Sequence, residues 1–419
     1  MKYRWVYAVL AITGAVIPNG SGAPAPDWRD DKANIEIVRE LNRAYRRVPF
    51  STEYEGVSDN CPIEIDWTVG PDLPLPGKGS VSGLFGDEIV IAAGAWLDNN
   101  PRSLAFNFKT GSYREVAPPP MNTSFAQGTF DGKNIYLVGG KSAGRQAAKL
   151  APAAGGTLQW TDLPPIPEQN RWTAAVNSTG DWLFLYTGRV KADFALLDAP
   201  EGAVNGQPGP LNLPAWRLRL KTPNARWEPM AAFPGRASCV LNTAVVRGKV
   251  YAFGGWHDDE VLKEITTKLD LWRKYRLRPL SPTPAYVAYR DAFSYDPAAN
   301  RWTRIRSLPF PMYGGSGVVV DDRYILLMGI SDRHTLRVGR SAETHKPYLD
   351  QYWKGYGDMI LCYDVETDQY SRVGLMLYGV SSWNWIRVGD RVYGFGGEPW
   401  HSLHSNRESV VQVGTIVRK

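Results

Sequence analysis

Lys249-Val-Tyr-Ala-Phe-Gly-Gly255 is a run of aliphatic and aromatic residues that stops on two glycines. β-Branched and aromatic side chains favour an extended backbone, and glycine supplies the positive φ angles that end one sharply. Five further runs have the same form. Asn134-Ile-Tyr-Leu-Val-Gly-Gly140 and Arg391-Val-Tyr-Gly-Phe-Gly-Gly397 keep the glycine pair. Glu88-Ile-Val-Ile-Ala-Ala-Gly94, Trp182-Leu-Phe-Leu-Tyr-Thr-Gly188 and Arg323-Tyr-Ile-Leu-Leu-Met-Gly329 keep only the second glycine. A unit recurring six times marks a repeat architecture in which no single unit buries its own apolar face.

Each run is followed by an aromatic residue and, in most copies, a proline-rich exit. Tyr113 precedes Ala117-Pro-Pro-Pro120, Trp160 precedes Leu163-Pro-Pro-Ile-Pro167, Trp227 precedes Phe233-Pro234, and Trp302 precedes Leu308-Pro-Phe-Pro311. Tyr370 marks the fifth copy, which lacks the prolines. The sixth copy runs through Val410-Val-Gln-Val-Gly-Thr-Ile416 and stops before any aromatic exit. That exit stands at the other end of the chain, as Ile63-Glu-Ile-Asp-Trp67 and Leu73-Pro-Leu-Pro76. A ring of sheets completed by both ends of the chain leaves no open sheet edge. The expectation is an all-β, six-bladed propeller closed by an N-terminal strand that completes the last blade.

Composition agrees with short strands, turn punctuation and aromatic packing: 419 residues include 41 Gly, 31 Pro, 16 Trp and 21 Tyr. The net charge of +6 is modest and dispersed, with no basic face interleaved with aromatics, which argues against a nucleic-acid partner. Lys2 and Arg4, the apolar run Trp5 to Ile17 and Ser21-Gly-Ala23 have the form of a signal peptide over residues 1–23. The expectation is export to the periplasm or the extracellular space, with no membrane span, since the apolar run is too short for one. Residues 24–60 read as a leader with one helix, in which Val38, Leu41, Tyr45 and Val48 recur at helical spacing. This helix either straps the main domain or docks a protein partner. The propeller takes residues 61–419. Three cysteines, Cys61, Cys239 and Cys362, do not make a disulfide framework, and the sequence leaves open whether any two pair.

The glycine-to-glycine spacing is 46 and 48 residues in the first copies, close to the kelch period of about 50, and then grows to 67, 74 and 68. The excess lies at Arg189 to Ala215, Trp256 to Arg290, Ile330 to Gly357 and Glu398 to Arg407. All of it follows a glycine-terminated strand. Strands alternate in direction within a blade, so these insertions leave from one face, as do the connections between blades, and this makes it the candidate binding face. The blade-four insertion reads as partly helical, with Val261, Leu262, Ile265, Leu269 and Trp272 as an apolar stripe.

All five histidines fall in these loops: His257, His334, His345, His401 and His404. Arg145, Arg171, Arg189, Arg236 and Arg333 have two readings, loop-holding ion pairs or a positive ring that favours an anionic ligand. Trp256 and Trp400 suit stacking on sugar rings, whereas Trp383 and Trp385 suit packing between blades. Glu398 follows the last glycine pair directly and Arg407 ends the same loop. His401-Ser-Leu-His404 lacks a third ligand at fixed distance, so no metal and no other cofactor is expected. Asn122-Thr-Ser124 and Asn177-Ser-Thr179 match glycosylation acceptors.

The repeats over residues 61–416 resemble kelch repeats. Leu73-Pro-Leu-Pro76, the polar insertion of the fifth copy and the final Glu408-Ser-Val-Val-Gln-Val413 are similar to the bacterial kelch proteins of the N-acetylneuraminate epimerase (sialic acid mutarotase) family. The resemblance implies a sugar isomerase acting on an acidic carbohydrate. That family uses a Glu and an Arg at a Gly-Glu…Arg spacing, which Glu398 and Arg407 match here, although the family's pair lies on a blade other than the last. A base at the anomeric hydroxyl, an acid at the ring oxygen and an arginine fork on the carboxylate suit mutarotation. The alternatives are an ion pair across the loop and a non-catalytic module that binds glycan or protein. A copper-radical sugar oxidase of the same repeat type needs a face-loop cysteine cross-linked to tyrosine, which this chain lacks.

Overall fold

The computed structural model describes residues 57–140, 143–168, 171–188, 214–235, 240–258, 286–331, 337–340, 347–350, 359–377, 379–381, 384–399 and 409–419. The signal-peptide segment, the leader helix and the blade-four helix expected from the sequence lie outside these residues. Among the described residues, six antiparallel sheets of four main strands form the blades of a propeller. Their inner strands are Val81–Phe85, Gln127–Phe130, Ala175–Thr179, Asn242–Val246, Met312–Val320 and Trp385–Val388. Each inner strand touches the next, and the sixth touches the first. The ring is closed. No helix of the described residues is long and apolar enough to cross a membrane.

Crowding at the axis selects small residues. A Cβ on Gly128 would lie 2.1 Å from the carbonyl oxygen of Tyr136, and one on Gly317 would lie 2.9 Å from Ala244 Cβ. The signature runs Ile135–Val138, Lys249–Phe253 and Arg391–Phe395 are the second strands, buried almost throughout. Their glycine pairs turn the chain with positive φ, +65° at Gly254 and +91° at Gly255. The amide of Gly255 then donates to the carbonyl of Met312 in the next blade at 2.8 Å. Gly140 donates likewise to Arg171 at 2.7 Å, and Gly397 to Gly77 at 2.8 Å. In two of the three degenerate copies Ala93 and Thr187 occupy the left-handed position themselves, with φ of 64° and 55°.

The six aromatics of the exits all do one thing. The indole Nε1 of Trp160, Trp227, Trp302 and Trp67 donates to the carbonyl of Ala117, Pro164, Ala231 and Leu375 respectively, at 2.7 to 3.1 Å. The hydroxyls of Tyr113 and Tyr370 donate to Pro71 and Arg306, at 2.8 and 2.7 Å. Each acceptor belongs to the preceding blade, five in or beside its exit and the sixth, Leu375, at the end of its outer strand. The proline-rich segments therefore present carbonyls to the next blade's aromatic.

Ile63–Val69 is the outer strand of the sixth sheet, antiparallel to Val411–Arg418 with Ile63 opposite Arg418. Ile63, Ile65 and Trp67 point inward and are buried, while Asp66 and Thr68 on either side of Trp67 are exposed. The Trp67 ring lies 5.7 Å from that of Trp385, an inner-strand residue, which accounts for Trp385 as packing between strands. Val57–Ser58 adds a short parallel strand to the edge of the fifth sheet, against Tyr370–Ser371. Asn177 is buried, donates to Thr243 Oγ1 and accepts from the Tyr186 hydroxyl. It does not present itself as a glycosylation acceptor.

Gly254 and Gly248 separate conformation from space. Both have positive φ, but a Cβ on Gly254 would lie 1.9 Å from the Met312 carbonyl oxygen, whereas one on Gly248 meets only Thr179 Oγ1 at 3.8 Å. Gly248→Ala is expected to cost about 1 kcal/mol from its backbone conformation alone. Gly254→Ala, which also displaces the interblade hydrogen bond, is expected to cost about 3 kcal/mol or more. Urea unfolding of the two variants measures the difference, and equal losses would refute the interblade role.

Candidate functional site at the loop face

The two faces of the disc differ in kind. On one face, short turns inside four of the blades are tied together by ion pairs: Lys109 with Asp87, Lys221 with Asp181, Arg323 with Asp364 and Arg418 with Asp390, at 2.6 to 2.9 Å. The Lys109, Lys221 and Arg418 pairs are exposed and contribute little alone, whereas Arg323 and Asp364 are partly buried. The other face collects the glycine ends of the second strands and the starts of the inner strands. The long insertions attach there.

Among the described residues, three of those insertions carry paired backbone, and a similar pair flanks the first blade. Trp256–Asp258 pairs with Tyr286–Ala288, Arg337–Arg340 with Pro347–Asp350, Val380–Ser381 with Glu398–Pro399, and Gly77–Lys78 with Ala95–Trp96. Among the described residues, four two-stranded ribbons thus rise from the face. Backbone amides and carbonyls leaving a sheet need partners, and the nearest antiparallel segment supplies them.

Glu398 sits in one ribbon and Lys78 in its neighbour, across the seam between the sixth and first blades. Lys78 Nζ donates to Glu398 Oε2 at 2.7 Å. The lysine side chain is 9% exposed and the glutamate 26%, so the pair is held at the surface of the packed core with the carboxylate open to solvent on one side. The amide of Gly397, one residue before Glu398, donates to Gly77, one residue before Lys78. Backbone and side chain close the seam together. Charge-assisted bonds of this kind are shorter and stronger than neutral ones, and the fixed cation orients the carboxylate. Lys78 was missed by the sequence reading because 320 residues separate it from its partner. Its one local signal was a lone cation among the glycines that follow Leu73-Pro-Leu-Pro76.

The remaining candidates divide clearly. Arg407, Arg189, Arg236, Arg333, His334, His345, Trp400, His401 and His404 lie outside the described residues. Trp256 and His257 are in the blade-four ribbon, with His257 opposite Val287. Arg145 is exposed, and its Nε donates to the carbonyl of Ile166. Arg290, at the matching position of blade four, makes the same bond to Leu308. Arg145 is therefore part of a repeated structural device that holds the exit segment. Arg171 does not join a positive ring at the channel. It is fully buried, donates to the carbonyls of Thr187 and Pro214, and pairs with Glu168 at 3.2 Å. Burial among carbonyl acceptors, which the sequence pattern cannot display, is the physical reason.

The fold and the repeated signature define a six-bladed β-propeller with kelch-type second strands. No protein-family model matches the chain. It is similar to proteins named N-acetylneuraminate epimerase. That of Haemophilus influenzae (strain PittEE) is 30% identical over 115 residues, 27% of this chain and 25% of that protein. That of Pasteurella multocida (strain Pm70) is 30% identical over 115 residues, 27% of this chain and 24% of that protein. That of Salmonella typhi is 22% identical over 228 residues, 51% of this chain and 48% of that protein. The chain thus spans between a quarter and a half of the length of these relatives.

The seam pair is testable by a double-mutant cycle. Lys78→Met leaves a partly buried carboxylate without its cation and is expected to destabilise the protein by about 1–3 kcal/mol. Adding Glu398→Gln is expected to recover about 0.5 kcal/mol or more of that loss. Additive losses in urea unfolding would show that the two side chains do not interact.

Proposed function

We propose that the protein is an exported carbohydrate-binding propeller that interconverts the anomers of an acidic sugar of the N-acetylneuraminate type. The observation carrying this reading is Glu398, oriented by Lys78 on the ribbon-bearing face, in a chain similar to epimerases of that name. Mutarotation breaks the bond between the anomeric carbon and the ring oxygen and remakes it on the other side. In the proposed reaction Glu398 takes the proton of the anomeric hydroxyl as the ring opens, and an acid protonates the ring oxygen. The steps reverse after rotation of the exposed carbonyl. Arg407 is the proposed fork for the substrate carboxylate, carried over from the resemblance. Trp256, Trp400, the face histidines and Arg189, Arg236 and Arg333 would form the walls of the sugar site.

A second reading has support in the same geometry. Glu398 already has a cation, so the pair can be purely structural and the face a binding surface for glycan or protein. NMR of α-N-acetylneuraminate released in situ separates the two. The first reading expects faster appearance of the β-anomer with protein than in buffer. Glu398→Gln is expected to lower the catalysed rate by about 100-fold or more. Saturable sugar binding without acceleration would leave only the binding module.

A further inference from the structure

Cys61 and Cys362 lie far apart in sequence and meet at the edge of the fifth blade. Cys61 stands just ahead of the closing strand Ile63–Val69, and Cys362 lies in Met359–Asp364, the third strand of the fifth sheet. The register brings them together. Ser58 pairs with Ser371 in the parallel ladder, and Ser371 stands opposite Cys362 in the antiparallel one. Both sulfurs are buried in one apolar cluster, hydrogen-bond each other and share the Ser371 side chain. The bond to Cys362 draws the Cys61 thiol below its ordinary range, while the same bond, with burial, pushes Cys362 up.

The closing strand is where the ring has most to lose. It is a chain-terminal strand of the propeller, and such segments fray unless tied down. A tether at Cys61 would hold it to the neighbouring blade independently of its ladder to Val411–Arg418. Ser58 and Asn60 beside Cys61 are exposed, so local opening of this edge would admit a reagent.

We propose that Cys61 and Cys362 are a disulfide-forming pair that locks the closing strand to the fifth blade. The Cys61 thiolate attacks one sulfur of a disulfide oxidant, a glutathione disulfide or an oxidised dithiol protein, and expels that oxidant's first thiolate. Cys362 loses its proton to solvent and attacks the Cys61 sulfur, expelling the second thiolate. Two protein thiols are oxidised to one disulfide, and the oxidant is reduced to two thiols.

The full chain is equilibrated in a glutathione redox buffer, denatured, blocked with N-ethylmaleimide and digested for mass spectrometry. The expected result is one blocked thiol, at Cys239, and a linked peptide pair carrying Cys61 and Cys362. Reduction is expected to lower Tm by roughly 5 °C, since the bond closes a very long loop. Cys239→Ser is expected to keep both the linkage and the shift, and Cys61→Ser to lose both. Three blocked thiols in the unmutated chain, or a linkage through Cys239, would overturn the assignment. A Cys61–Cys362 linkage with no change in Tm would overturn the locking role.

Discussion

A hydrogen on an indole or phenol, given to a backbone carbonyl of the preceding blade, recurs at all six blade junctions. It decides how the blades stand against one another. The ring that carries the hydrogen fills the space between two twisted sheets, where burial of an aromatic side chain stabilises by about 1.5–3 kcal/mol. The bond itself adds about 1 kcal/mol and, more importantly, fixes the direction of the contact. At Leu375, where the acceptor is buried, the carbonyl would go unsatisfied without this donor. Because Trp67 arrives from the N-terminal end of the chain and reaches Leu375, the last junction is made in the same way as the others. Closure needs no special interface.

The glycine pairs complement this arrangement at the opposite end of the second strand. Turning the chain at Gly254 and Gly255 places an amide against Met312 at a separation that leaves no room for a side chain. The chain then emerges on one face, above the packed sheets. The other face is occupied by short turns and their ion pairs. Long insertions are accommodated where the glycines release the backbone, and the ribbons that begin them extend the sheets upward. The asymmetry between the faces is thus a consequence of strand direction and glycine placement.

Candidate chemistry and closure of the ring meet at one seam. The backbone bond from Gly397 to Gly77 and the ion pair of Glu398 with Lys78 join the last blade to the first. A carboxylate held there depends on the ring being closed. Cys61 and Cys362 act on the same closing strand from the fifth blade, so the two features bear on one structural event from different sides.

Much of the fold was legible because its requirements are local. The alternation in Ile63-Glu-Ile-Asp-Trp67, the glycine pairs and the aromatic exits each follow from backbone geometry within a few residues, and their count names the architecture. The site was legible only in part. Glu398 stands out by following a glycine pair, but Lys78 is marked only as a lone cation between two glycines, with nothing to name its partner. Arg171 read as a surface cation, and burial among the carbonyls of Thr187 and Pro214 makes it a structural centre. The sequence by itself determined the repeat, the alternation of strand direction within each blade and the face from which the insertions leave. Only the tertiary structure decided that Lys78 meets Glu398 and that Cys61 meets Cys362. Such contacts join residues some 300 positions apart, and they exist only once the ring has brought its two ends together.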